Sequence, residues 1–348
     1  MEPVAGRNRS FRVLNPAGRG LFLKQAEVAD PSAAATLARE AAFYSAVRSP
    51  NMSAAMRDRL PALVSWDPDR KLLILELVPD ACNVHELDDA DGAALFPRIG
   101  QLLGASLATM HGVARTSGLR DPEARDGGTF GAIEPAPIPW VLDVCRPGPE
   151  VLRDVSPAQL ELTRQVQAST GVDDALRALR AHWTPNVLIH GDLKWGNVLA
   201  RARAPRFEPE RVWIVDWEFG GWGDPTWDLG SALHSFVSDC IHAAVTEEAA
   251  TPTQVRATFD RGMKRAREQI RAMWTSYDAD AVEDHAKREA SVRAAGARLL
   301  QSAWEWSHGQ PLPPRDAVLA LQLAMNLLRA SLPDAMRFLG TAGTDDTV

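Results

Sequence analysis

The sequence predicts an α+β fold in which a small β-rich lobe leads into a larger, mainly helical one. Two changes of pattern carry this expectation. Apolar runs of strand length, separated by turn-forming clusters, crowd the first 77 residues. From about residue 93 the apolar side chains recur instead at helical spacing. Between the two regimes lies Glu76-Leu77-Val78-Pro79-Asp80-Ala81, which reads as a hinge strand, with 78–85 as the connection. At 348 residues the chain is long enough for two modest domains or one two-lobed domain.

The elements follow in order. Residues 9–25 read as a β-hairpin: Phe11, Val13 and Leu14 lead into the turn-forming Asn15-Pro16-Ala17-Gly18-Arg19-Gly20, and Leu21-Phe22-Leu23-Lys24 leads out. Residues 31–48 read as a helix, with Pro31 at its start and Leu37, Phe43, Tyr44 and Val47 at helical intervals. Leu63-Val64 and Leu72-Leu73-Ile74-Leu75 are two further strands around Asp67-Pro68-Asp69. A helix over 93–113 carries Leu95, Ile99, Leu103, Leu107 and Met110 on one stripe. Residues 121–150 hold many Gly and Pro and read as a long irregular connection, a length seldom kept without function or mobility. Helix returns over 156–182, a turn flanked by short strands occupies 186–218, and 226–340 is mostly helical. The lobes are therefore expected at 1–77 and 86–340, with 341–348 a frayed tail.

Composition excludes several classes of function. A net charge of −7 argues against a nucleic-acid partner, which favours a basic face. No apolar run approaches the roughly 18–20 residues of a membrane span, so no membrane partner is expected. Cys82, Cys145 and Cys240 form neither a CxxC pair nor a disulfide framework, and the first residues lack the apolar core of a secretory signal. The expected compartment is the reducing cytoplasm. No P-loop, HExxH or CxxC motif occurs, and the histidines show no metal-ligand spacing.

The informative segments are Leu188-Ile189-His190-Gly191-Asp192-Leu193-Lys194-Trp195-Gly196-Asn197 and Ile214-Val215-Asp216-Trp217-Glu218. Each sets an acidic residue beside a short apolar stretch. Phosphoryl transfer needs one carboxylate near the attacking hydroxyl and another on magnesium, and Asp192 and Asp216 fit that pair. Magnesium prefers oxygen ligands and takes few carboxylates, so Asn197 with Asp216 is a sufficient protein contribution. Asp192 is the candidate base, positioning an acceptor hydroxyl and taking its proton late.

On these residues the chain resembles the aminoglycoside phosphotransferase and choline kinase group, relatives of the protein kinases that share their two-lobed fold. His190-Gly191-Asp192-Leu193-Lys194 with Asn197 matches the catalytic loop, Asp216 the metal-binding aspartate, and Asp224-Pro225-Thr226-Trp227-Asp228-Leu229 the segment beyond. The resemblance implies a protein-kinase-like fold using ATP, or alternatively GTP, with Mg2+. It implies that Lys24 contacts the α- and β-phosphates and that a helix glutamate, Glu40, holds it. It places a phosphate-covering loop at Gly6-Arg7-Asn8-Arg9-Ser10, where Asn8 and Ser10 offer donors, and assigns the hinge at Glu76 and Val78 to the nucleotide. Lys194 is assigned to the transferred phosphate or the base, His190 to a buried structural role, Asp228 to bracing the catalytic loop, and Glu218 to the metal's water shell or to the surface.

The acceptor is expected between the catalytic loop and the helices after 229. A polycationic acceptor calls for an acidic surface, but 247–289 holds nine acids against eight bases, a near-balance that withdraws this argument. Three functional readings follow: a kinase for a small hydroxylated metabolite (aminoglycoside-, amino-sugar- or choline-like), a kinase for Ser or Thr of a precursor peptide, and a pseudokinase-type binding module.

Overall fold

The computed structural model describes residues 2–4, 8–14, 20–27, 30–49, 52–87, 95–116, 133–149, 151–201, 210–246, 251–278 and 284–341. The turn at 15–19, Gly6 and Arg7, 121–132 of the long connection, parts of the 247–289 stretch and the tail from 342 lie outside the described residues. The α+β expectation holds: a small sheet-bearing part precedes a mainly helical one.

Strands β1 (Glu2–Val4), β2 (Arg9–Leu14), β3 (Gly20–Gln25), β4 (Leu63–Asp67) and β5 (Leu72–Glu76) form one sheet in the order β1-β2-β3-β5-β4, with every neighbouring pair antiparallel. Side chains on a strand alternate between faces, and residues paired across strands share a face. The register sets Lys24 opposite both Ser10 and Leu73, and Phe22 opposite both Arg12 and Leu75. Ser10, Arg12, Phe22, Lys24 and Leu75 therefore stand on one side of the sheet.

Helix α1 (Pro31–Val47) starts where the Asp30 side chain accepts from the Ala33 N–H at 2.9 Å, with proline in the first turn, where it loses no hydrogen bond. It buries Leu37, Glu40, Phe43, Tyr44 and Val47. A short helix, α2 (Ala54–Arg57), follows before β4. After β5, β6 (Ala81–Asn83) turns into one turn of 3-10 helix at Val84–Glu86. Strand β7 (Val187–Ile189) precedes the candidate catalytic loop, and β8 (Val198–Arg201) and β9 (Val212–Ile214) follow it. A three-stranded sheet, β6-β8-β9, ties Ala81–Asn83 to the strands after that loop, and β10 (Gly221–Gly223) pairs antiparallel with β7.

The remaining helices are α3 (Leu95–Thr116), α4 (Pro157–Gln167), α5 (Val172–Ala181), α6 (Pro225–Val245), α7 (Pro252–Tyr277), α8 (His285–Trp306), α9 (Arg315–Arg329) and α10 (Leu332–Leu339). The helical stretch expected over 156–182 is divided, because α4 closes at Ala168 and α5 starts only after Gly171. Capping boxes open α4 (Ser156 with Gln159) and α7 (Thr251 with Gln254), each satisfying backbone N–H groups that a helix start leaves without partners.

The chain divides into two compact units that interleave along the sequence: 1–95, 105–137 and 185–225 in one, and 96–104, 138–184 and 226–348 in the other. The first has an apolar interior of Leu37, Phe43, Leu73, Leu107, Leu188, Ile214 and Trp217. The second is built on Leu142, Leu162, Leu233, Phe236, Ile270, Met273, Leu299 and Leu321. Among the described residues no helix is long and apolar enough to cross a membrane.

Candidate active site

A cavity of about 570 Å³ opens within the first unit. It is lined by Asn8, by Ser10, Arg12, Phe22 and Lys24 on one face of the sheet, by Glu76, Val78 and Asp80, and by Asn197, Asp216 and Glu218. All six positions assigned to the nucleotide from sequence, Asn8, Ser10, Lys24, Glu40, Glu76 and Val78, line this single space with the two metal candidates. Asp192 and Lys194 are not among its wall residues, but Asn197 Nδ2 donates to the Asp192 carbonyl at 2.9 Å and so fixes the loop beside it.

Lys24 is only 7% exposed. Its ammonium lies 2.6 Å from Glu40 Oε2 and also pairs with Asp216 Oδ1. Burial works to lower its pKa, but the two carboxylates outweigh burial and hold it above the ordinary lysine range. Glu40 is fully buried on α1. Burial pushes its carboxyl up to about 7 against the pull of Lys24, with Asp216 and Glu218 adding to the rise. Its second oxygen accepts the Trp217 backbone N–H at 3.3 Å. One carboxylate thus ties β3 to the segment that follows β9.

Asp216 has φ +69°, a left-handed conformation that costs a non-glycine residue on the order of 1–3 kcal/mol unless its surroundings over-determine it. Here they do. The Val215 N–H donates to the Asn197 carbonyl at 2.9 Å on one side, Trp217 is bound to Glu40 on the other, and the side chain meets Lys24.

The candidate catalytic loop is shaped by His190 and Gly191. His190 is fully buried. Its Nε2 lies 2.8 Å from the Val215 carbonyl, which can only accept, and its Nδ1 accepts the Asp192 N–H at 3.2 Å. These partners require the neutral Nε2–H tautomer. Gly191 has φ +81°, and a Cβ there would come within 2.6 Å of the Phe219 carbonyl oxygen, so the turn admits only glycine. Past this turn, Lys194 Nζ lies 2.7 Å from Asp192 Oδ2.

The donor set suits a hydrated divalent cation. Asp216 and Asn197 offer oxygens to the cavity, and Glu218 Oε2 and Asn8 Oδ1 are buried acceptors without a hydrogen-bond partner among the described residues. Buried acceptors of this kind call for donors, which a metal's water shell supplies. Among the described residues no cluster of three His, Cys, Asp or Glu side chains forms a separate metal site.

Residues 2–268 match the phosphotransferase enzyme family. The chain belongs to that family. The 4-hydroxytryptamine kinase of Psilocybe cyanescens is 32% identical over 78 residues, which is 22% of this chain and 20% of that protein. The chain thus spans about a fifth of the length of that relative. Among solved structures, a choline/ethanolamine kinase family protein from Mesorhizobium loti superposes with a TM-score of 0.53 at 18% identity, covering 98% of this chain and 92% of the other. The amicoumacin kinase hAmiN, solved in complex with AMP-PNP, Ca2+ and Ami, superposes with a TM-score of 0.56 at 12% identity, covering 95% and 89%. At these identities the phosphotransferase family likeness in three dimensions is one of fold.

The sequence pattern did not reveal the packing of Trp217 or the orphaned acceptor on Glu218. The first depends on partners from distant segments, and the second on burial, and neither leaves a local signature.

Proposed function

We propose that the chain is a kinase that moves the γ-phosphoryl group of ATP, with GTP as the alternative donor, to an alcohol hydroxyl of a small hydroxylated metabolite. The supporting observation is the convergence of Lys24, Glu40, Asn197 and Asp216 on one cavity, with Asp192 anchored beside it through Asn197. In this reading 1–77 is the nucleotide-binding lobe, 78–85 the hinge and 86–340 the catalytic and acceptor-binding lobe. Among the described residues Cys82, Cys145 and Cys240 form no disulfide, which suits a cytoplasmic protein.

The roles follow from the chemistry of each group. The backbone at Glu76 and Val78 takes the base, and Asn8 and Ser10 face the phosphates. Lys24, oriented by Glu40, offers its ammonium to phosphate oxygens. Asn197 and Asp216 hold Mg2+, with Glu218 toward its waters; the bound ion supplies neutralisation of charge on the phosphates. Asp192 orients the acceptor hydroxyl and takes its proton as the oxygen–phosphorus bond forms. Lys194, beside that carboxylate, faces the group in transit.

A small acceptor is preferred over a peptide because the kinases to which the chain is similar carry names of choline/ethanolamine, amicoumacin and 4-hydroxytryptamine. The test is mass spectrometry across amino alcohols, sugars, hydroxylated aromatics and Ser/Thr peptides, reading a gain of about 80 daltons for one phosphoryl group. The expected result is a gain on a small molecule that disappears in Asp192→Ala. Gain on peptides alone would overturn the acceptor class, and a protein that does not bind nucleotide would overturn the kinase reading.

A further inference from the structure

The wall of the cavity is acidic. Glu2, Glu40, Glu76, Asp80, Asp216 and Glu218 line it, and among the described residues its only cations are Lys24 and Arg12. A nucleotide is an anion, and a cleft lined by carboxylates repels it. Lys24 relieves little of this, because its ammonium is already paired with Glu40 and with Asp216. Arg12 differs. Its side chain is half-buried, and among the described residues it makes no ion pair and no side-chain hydrogen bond, although Glu2 stands opposite it on β1.

The strand register fixes where that guanidinium is carried. Arg12 pairs with Phe22 across β2 and β3, and Ser10 pairs with Lys24 one step along the same face. Diagonal neighbours such as Arg12 and Lys24 lie about 7–8 Å apart, within reach of long side chains. In the other direction the face runs to Leu14 and Gly20. There the Gly20 carbonyl accepts the Leu77 N–H at 3.0 Å, so this end of the hairpin meets the segment after β5. Arg12 therefore stands between the positions read as taking the base, Glu76 and Val78, and those read as facing the phosphates, Ser10 and Lys24. The part of a nucleotide that falls between its base and its outer phosphates is the sugar with the phosphate joined to it.

We propose that Arg12 binds the sugar-linked phosphate of the nucleotide and gives the site a hold on it that does not depend on metal. A guanidinium stays charged at any working pH, and its planar fork of N–H groups matches two oxygens of one phosphate. Magnesium in kinases bridges the outer phosphates, which leaves the inner one to the protein. That phosphate is present both in ATP and in the ADP left after transfer, so one contact serves donor and product alike.

The inference rests on the kinase reading, and its test needs no acceptor. Binding of ADP and of adenosine is measured calorimetrically in EDTA, and of ADP again with Mg2+, for the full chain and for Arg12→Gln and Arg12→Lys. Melting temperatures confirm that each variant is folded; if Arg12→Gln is not, Arg12→Met is read by the same criteria. The wild type is expected to bind ADP without metal, at least about tenfold more tightly than adenosine. Arg12→Gln is expected to weaken metal-free ADP binding about tenfold and to leave adenosine within about twofold. Arg12→Lys keeps the charge and is expected to stay within about threefold of wild type for ADP. A wild type that binds ADP only with Mg2+ overturns the proposal, as does Arg12→Gln within about twofold of wild type for metal-free ADP. Equal losses for ADP and adenosine, or Arg12→Lys as weak as Arg12→Gln, also overturn it, since they mark a guanidinium stacked on the base. A wild type that binds ADP neither with nor without Mg2+ refutes the kinase reading instead, which keeps the two failures apart.

Discussion

His190 donates from Nε2 to the Val215 carbonyl at 2.8 Å, joining the loop that carries Asp192 to the segment that presents Asp216. Replacing His190 with Ala removes the donor to this half-buried carbonyl and the Nδ1 acceptor of the Asp192 N–H. Loss of such a hydrogen bond costs about 0.5–1.5 kcal/mol. His190→Ala is therefore expected to lower the denaturation midpoint and to reduce kcat more than nucleotide affinity. Equal loss in both would show that the bond serves folding alone.

The Lys24 ammonium meets two carboxylates, so its removal differs from the loss of an ordinary surface lysine. Lys24→Met removes the cation that draws the buried Glu40 carboxyl toward its ionised form, and breaking a buried pair from one side costs about 3–5 kcal/mol. The double variant Lys24→Met/Glu40→Gln is expected to recover part of that stability without recovering nucleotide binding. A chemical-denaturation double-mutant cycle measures both terms.

Asp192→Asn keeps the shape of the side chain but cannot accept the hydroxyl proton. Turnover is expected to fall by about 10²–10⁴-fold, the usual contribution of a positioned acid or base. AMP-PNP affinity should change less than about threefold, because Asp192 is not part of the cavity wall. Asp216→Asn should do the reverse, raising the Mg2+ requirement before chemistry is measured.

Glu40 links stability to pH. Burial raises its carboxyl from an ordinary value of 4.5 to about 7, so between these limits the folded chain holds a proton that the unfolded chain has released. The stabilisation from this group is therefore complete below pH 4.5 and is lost as pH rises through about 7. Melting temperatures of the metal-free protein and of Glu40→Gln, compared across pH 4–8, should diverge as pH rises, with wild type losing more. Parallel curves would show that Lys24 keeps the carboxylate ionised throughout this range.

Much of this arrangement was legible in sequence because its signals are local. Leu21-Phe22-Leu23-Lys24 announces a strand ending in a lysine, and Pro31 with its alanines announces α1 and therefore the position of Glu40. The candidate catalytic segment is compact enough to read as a motif. Strand β1 escaped notice because it is three residues long, contains Pro3 and is stabilised by pairing with β2 rather than by its own pattern. The division between α4 and α5 was hidden by continuous helical composition on both sides. The interleaving of the two units was out of reach, because it depends on which distant segments share an interior.

The alternation of side chains along β3 makes the donor site sensitive to deletion. Gly20, Phe22 and Lys24 line the cavity at every second position, while Leu21 and Leu23 between them do not. Losing Leu23, between Phe22 and Lys24, would rotate the ammonium to the far side of the sheet and bring the Gln25 amide to its place in the cavity, although composition and hydrophobicity would scarcely change. Length variation in this family should therefore collect outside β3, and an indel within it should silence the enzyme while sparing its solubility.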